Sequence, residues 1–105
     1  MKAYNKLVRD NIPEIIAKDG KVCHTRILSD EEFKKYAFAK LLEESKEANE
    51  SQSAEELADL EEVVLTAAKS IGCSRGELEK IRLAKSKRNG AFEKKILLID
   101  VKESK

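Results

Sequence analysis

Three times along this chain a serine is followed three residues later by a glutamate, and each time a periodic apolar stretch comes next. The pairs are Ser29 and Glu32, Ser53 and Glu56, and Ser74 and Glu77. In such a capping box the hydroxyl accepts from an unpaired amide of the first helical turn, and the glutamate reaches back to the cap amide. Three helix starts are therefore pinned, and the spacing predicts helices over 30–49, 54–71 and 75–89. Gly72 and Gly90 stand where the second and third should end, at positions that favour a left-handed backbone. A shorter helix is expected over Asn11–Lys18, with Pro13 in its first turn and Gly20 beyond its end. Lys21–Leu28 and Phe92–Val101, the latter carrying Ile96-Leu97-Leu98-Ile99, are candidate short β-strands. A strand in the tail would need a partner, either Lys21–Leu28 or another chain, because an isolated two-stranded piece is marginal.

The resulting expectation is an all-α fold in one domain, 1–105, with short terminal strands as its only extended structure. Composition agrees: 41% hydrophobic and 39% charged residues with a single Pro suit charged amphipathic helices better than a β-sandwich. A chain of 105 residues buries a modest core, so help from a second copy is expected. The net charge of +1 provides no global field toward nucleic acid or a membrane, and no basic stripe is interleaved with aromatics. No apolar run approaches the about 20 residues a membrane span needs. Cys23 and Cys73 are far apart and no secretory apolar segment is apparent, so free thiols and a cytoplasmic location are expected. His24 is the one histidine and cannot build a zinc site with such distant thiols. Phe33, Tyr36 and Phe38 recur at helical spacing, which reads as core or oligomer packing.

Against this ordinary background, four carboxylates fall where apolar side chains belong. At roughly 100° per residue, Phe33, Tyr36, Ala37, Leu41 and Ala48 define an apolar arc on the helix that Ser29 opens. Glu44 lies inside that arc and Glu47 at its edge. On the next helix Leu57, Leu60, Val63, Val64, Ala67 and Ile71 define the expected buried face. Glu56 is in phase with it and Asp59 sits at its margin. A carboxylate on a buried face costs several kcal/mol unless paired or neutralised.

The short connection around Glu50–Ser53 favours an antiparallel hairpin, with Glu47 opposite Glu56 and Glu44 opposite Asp59. Helix axes about 8–10 Å apart would aim both i, i+3 pairs into one gap. A hard divalent cation resolves the repulsion, and all-oxygen ligation points to Mg²⁺, with Mn²⁺ next. Plainer explanations stand beside this one. Glu56 is also a capping glutamate, and Lys40 and Lys46 are placed to pair with Glu44 and Glu47.

The same residues resemble a known superfamily. Leu42-Glu43-Glu44-Ser45-Lys46-Glu47 followed by Glu56-Leu57-Ala58-Asp59 matches the E-E-x-x-E … E-x-x-D pattern of the MazG-like, all-α nucleotide pyrophosphohydrolases. Tyr4-Asn5-Lys6-Leu7-Val8-Arg9-Asp10-Asn11-Ile12-Pro13 looks like the amino-terminal K-L-V-R-D-x-I-P signature of a phosphoribosyl-ATP-pyrophosphohydrolase-like subgroup. Lys85-Ser86-Lys87-Arg88-Asn89-Gly90-Ala91-Phe92 resembles that subgroup's closing K-x-x-R-G-G-F, with Asn89 where the motif usually has Gly. The spacer between the acidic halves is shorter than in most members.

The resemblance implies a MazG-like helical hairpin that completes a four-helix bundle by oligomerisation, as a homodimer or homotetramer. It also implies cleavage between the α- and β-phosphates of a nucleotide, releasing pyrophosphate. Glu44, Glu47, Glu56 and Asp59 are then the expected metal ligands. Glu43, or a free oxygen of Glu44 or Glu47, is the expected acceptor of the attacking water's proton. Lys6 and Arg9 are candidate phosphate ligands, as are Lys85 and Arg88, which continue the stripe begun by Leu78 and Ile81. The favoured substrate is a non-standard or surplus nucleoside triphosphate. Phosphoribosyl-ATP, or a non-catalytic helical module that binds nucleotide or protein, is the alternative.

Overall fold

A computed structural model describes residues 2–104. Its elements are α1 (Ile12–Lys18), α2 (Asp30–Ser51), α3 (Ala54–Ser70) and α4 (Arg75–Asn89). The chain divides into two compact units, Met1–Arg75 and Gly76–Lys105. Within the first unit α2 and α3 form an antiparallel hairpin, and α1 makes no close backbone approach to either of them.

The helix starts follow from the caps. At Ser29 the box is complete: the hydroxyl accepts from the Glu32 amide, and the Glu32 carboxylate accepts from the Ser29 N–H. Arg26 adds a two-pronged ion pair to the same carboxylate, with N–O distances of 3.1 and 2.7 Å. This holds Glu32 down to about 2, and the Ser29 N–H adds to the effect. Ser53 makes only one half, accepting from the Glu56 amide at 3.3 Å. Helix α2 runs to Ser51, so only Gln52 and Ser53 connect it to α3. Gln52 absorbs the reversal with a left-handed φ of 50°, a conformation that a β-carbon makes costly.

The packed interface of the hairpin is built from small side chains. Ala37 and Ala48 of α2 and Val63, Ala67 and Ala68 of α3 are its buried apolar residues. The wide apolar face expected on α3 is therefore only partly covered. Leu60 is half-buried, but Leu57 and Ile71 are exposed and Val64 is at the margin. The physical reason is geometric: one neighbouring helix shields a single stripe, whereas Leu57, Val64 and Ile71 recur every seven residues on a second. Phe38 and Leu42 are likewise exposed on α2.

The candidate strands are not formed. Among the described residues there is no strand, and the segments 21–29 and 96–104 are irregular and carry no ladder hydrogen bonds. Ile96, Leu97, Leu98, Ile99 and Val101 all remain exposed. High β-propensity alone does not order a segment whose backbone has no edge to pair with. In the second unit α4 buries no residue. No helix among the described residues is long and apolar enough to cross a membrane.

Candidate metal centre in the helical hairpin

The centre of the site is Glu44. It shares the buried stripe of α2 with Ala37 and Ala48, at offsets of seven and four residues, so the fold that packs those alanines also takes a carboxylate inward. Glu44 is 9% exposed and is the one buried charged residue among those described. Lys40, one turn earlier, lies 3.7 Å from its Oε1, while its Oε2 is buried with no hydrogen-bond partner. Burial pushes its carboxyl above the ordinary value, and the charges of Glu47 and Asp59 push it further.

From α3, Glu56 and Asp59 lie one turn apart and meet Glu44. Each of the three presents one carboxylate oxygen, and these oxygens lie within 4.8 Å of one another. Glu56 repeats the anomaly of Glu44: its Oε2 is buried and unpartnered. Its carboxyl is likewise raised, first by desolvation and then by Glu47, Asp59 and Glu55. Its backbone N–H serves the Ser53 cap while its carboxylate joins the cluster, so the capping role does not account for the side chain.

Glu47 is exposed and stands outside the group of three. Three residues on from Glu44, Glu47 stays on the same side of α2 but at the solvent edge of the buried stripe. It nevertheless remains close enough for its charge to act on both Glu44 and Glu56. Glu43 faces the amino-terminal segment instead. Its Oε1 accepts from Lys6 Nζ at 2.9 Å, which holds the Glu43 carboxyl below, and the Lys6 ammonium above, its ordinary value.

Arg9 donates from Nη2 to Asp59 Oδ1 at 2.8 Å. Lys6 and Arg9, read from sequence as phosphate ligands, thus stand against two carboxylates of the acidic region. This juxtaposition was not legible from the motifs. Lys85 and Arg88 lie on α4 in the second unit and are exposed. Cys23 and Cys73 are free thiols and His24 is exposed.

Three carboxylates from two helices, with two buried oxygens lacking donors, form an all-oxygen donor set suited to a hard divalent cation. Comparison of the chain with protein-family models, curated proteins and solved structures gives no match.

Proposed function

We propose that this protein is a divalent-cation-dependent nucleotide pyrophosphohydrolase whose metal centre is Glu44, Glu56 and Asp59, with Glu47 at its rim. The observation that carries the reading is that Glu44 and Glu56, whose carboxylates belong to one cluster, each keep a buried Oε2 without a donor. A protein has little reason to desolvate two neighbouring carboxylates unless something positive is to lie between them. The choice of pyrophosphate cleavage rests on the resemblance of the acidic pattern and the two flanking segments to the MazG-like hydrolases.

On this reading Mg²⁺, or Mn²⁺ in its place, would supply phosphate neutralisation and a water of lowered pKa. The chain's own groups do the rest. Glu44, fixed by its packing, and Glu56, fixed by the Ser53 cap, hold ligand oxygens in place from two rigid helices. Glu47, more exposed and outside the group of three, is the better placed proton acceptor. Glu43 is committed to Lys6, and its lowered pKa makes it a weaker base. Lys6 and Arg9 supply positive charge for the phosphate chain. The uncovered apolar side chains Phe38, Leu42, Leu57 and Val64 support assembly with further copies into a helical bundle.

The test is pyrophosphate release from standard, deoxy, oxidised and deaminated triphosphates and from phosphoribosyl-ATP, with Mg²⁺ or Mn²⁺. Turnover of at least one substrate is expected, and it should disappear with chelator. Background release across the whole panel would favour a non-catalytic binding module.

A further inference from the structure

The amino-terminal segment reaches the hairpin through charge. Lys6 and Arg9 pair with Glu43 and Asp59 across 37 and 50 residues of sequence, whereas α1 makes no close backbone approach to α2 or α3. Both pairs are half-exposed, with side chains 39% and 32% exposed in one and 56% and 45% in the other. Pairs of this kind are weak and readily exchanged. Yet one of them involves a carboxylate of the proposed metal centre.

We propose that residues 4–10 form an ionic latch in which Arg9 is an internal counter-cation for Asp59, so that cation binding and release of the arm are coupled. A divalent ion approaching Glu44, Glu56 and Asp59 competes with the Arg9 guanidinium for the Asp59 carboxylate. Its charge also weakens the neighbouring Lys6–Glu43 pair. The displaced guanidinium and ammonium are then free for phosphate oxygens, which Arg grips bidentately. The ligand selected is therefore a metal-complexed polyphosphate, with the cation bound before or together with the anion, and free polyphosphate meets an arm whose cations are engaged. This inference rests on the proposed metal centre and adds a role for Arg9 in regulating it.

Mn²⁺ binding to the full chain, followed by electron paramagnetic resonance, separates the two ideas. Four proteins are compared: wild type, Arg9→Gln, Arg9→Lys and Glu44→Gln. Arg9 is exposed, so Arg9→Gln should fold normally; Arg9→Lys, which retains a cation, is the control. With the latch, Arg9→Gln binds Mn²⁺ about two- to fivefold more tightly than wild type, as expected for an exposed ion pair. Arg9→Lys falls between them, and Glu44→Gln binds far more weakly. In wild type, ¹⁵N relaxation of residues 4–10 should report a looser arm on addition of Mg²⁺. Saturable wild-type binding with Arg9→Gln equal or weaker overturns the latch and leaves the metal centre intact. Wild-type binding no stronger than that of Glu44→Gln overturns the metal centre, and the latch with it.

Discussion

Replacing Glu44 by Gln keeps the shape of the side chain and removes its charge, so it isolates the cost of placing a carboxylate at the hairpin interface. Desolvating an ion in a protein costs several kcal/mol. At Glu44 this is offset only in part, by Lys40 at 3.7 Å, and is aggravated by Glu47 and Asp59. The glutamine loses that i, i+4 pair, which is largely shielded from solvent and so costs somewhat more than the about 0.5 kcal/mol of a surface pair. It also buries an amide whose unsatisfied atoms cost about 1–3 kcal/mol. The balance favours the variant by on the order of 1 kcal/mol in chelator at pH 7. For a domain of this size that is a rise in Tm of roughly 4–8 °C per kcal/mol.

The pH dependence carries a second signature. A carboxyl whose folded pKa is raised binds its proton more tightly in the folded state. Wild type therefore gains stability as pH falls through that pKa and loses it as pH rises. The Tm gap between variant and wild type should close on acidification. Adding Mg²⁺ should raise the wild-type Tm by mass action while leaving that of Glu44→Gln unchanged. Differential scanning fluorimetry across pH 4.5–8, with chelator or Mg²⁺, reads all of these. A variant less stable than wild type in chelator, with an equal Mg²⁺ response, would refute the reasoning.

Other consequences follow from individual contacts. Mn²⁺ affinity should fall on acidification at a pH above the ordinary carboxyl value of 4.5, because Glu44 and Glu56 are both raised and must be deprotonated to ligate; isothermal titration at several pH values checks this. Ser53→Ala removes the acceptor for the Glu56 amide and should cost about 1 kcal/mol in chemical denaturation. The same variant should weaken Mn²⁺ binding, since the first turn of α3 carries Glu56. Leu42→Glu places a charge on the uncovered apolar surface and should reduce the proposed oligomer to a smaller species in light scattering, without lowering the monomer's stability.

The helices were readable because their signals are local. A capping serine, the glutamate three residues on and a glycine past the end act within one or two turns, and the observed bounds lie close to those expected. The phase of Glu44 and Glu56 was readable for the same reason: a carboxylate in register with Ala37 and Ala48, or with Leu60 and Val63, must turn inward. What periodicity could not supply was the number of neighbours available to cover a face. Leu57 and Ile71 are apolar and in phase, yet they stay exposed because a single partner helix shields one stripe only. The same reasoning applies to the tail 96–101, whose β-branched and apolar residues signal a strand but have no edge to join. The pairs Lys6–Glu43 and Arg9–Asp59 were beyond any local rule, since they depend on where a non-helical segment returns to the hairpin.

The ligand assignment is tested most directly by where the cation sits. Crystals grown with Mn²⁺ and measured at a wavelength that excites its anomalous scattering should show a peak between the carboxylates of Glu44, Glu56 and Asp59, within ligand distance of all three. Glu44→Gln crystals treated identically should lack that peak. A strong Mn²⁺ peak elsewhere, persisting in the variant, would contradict the account.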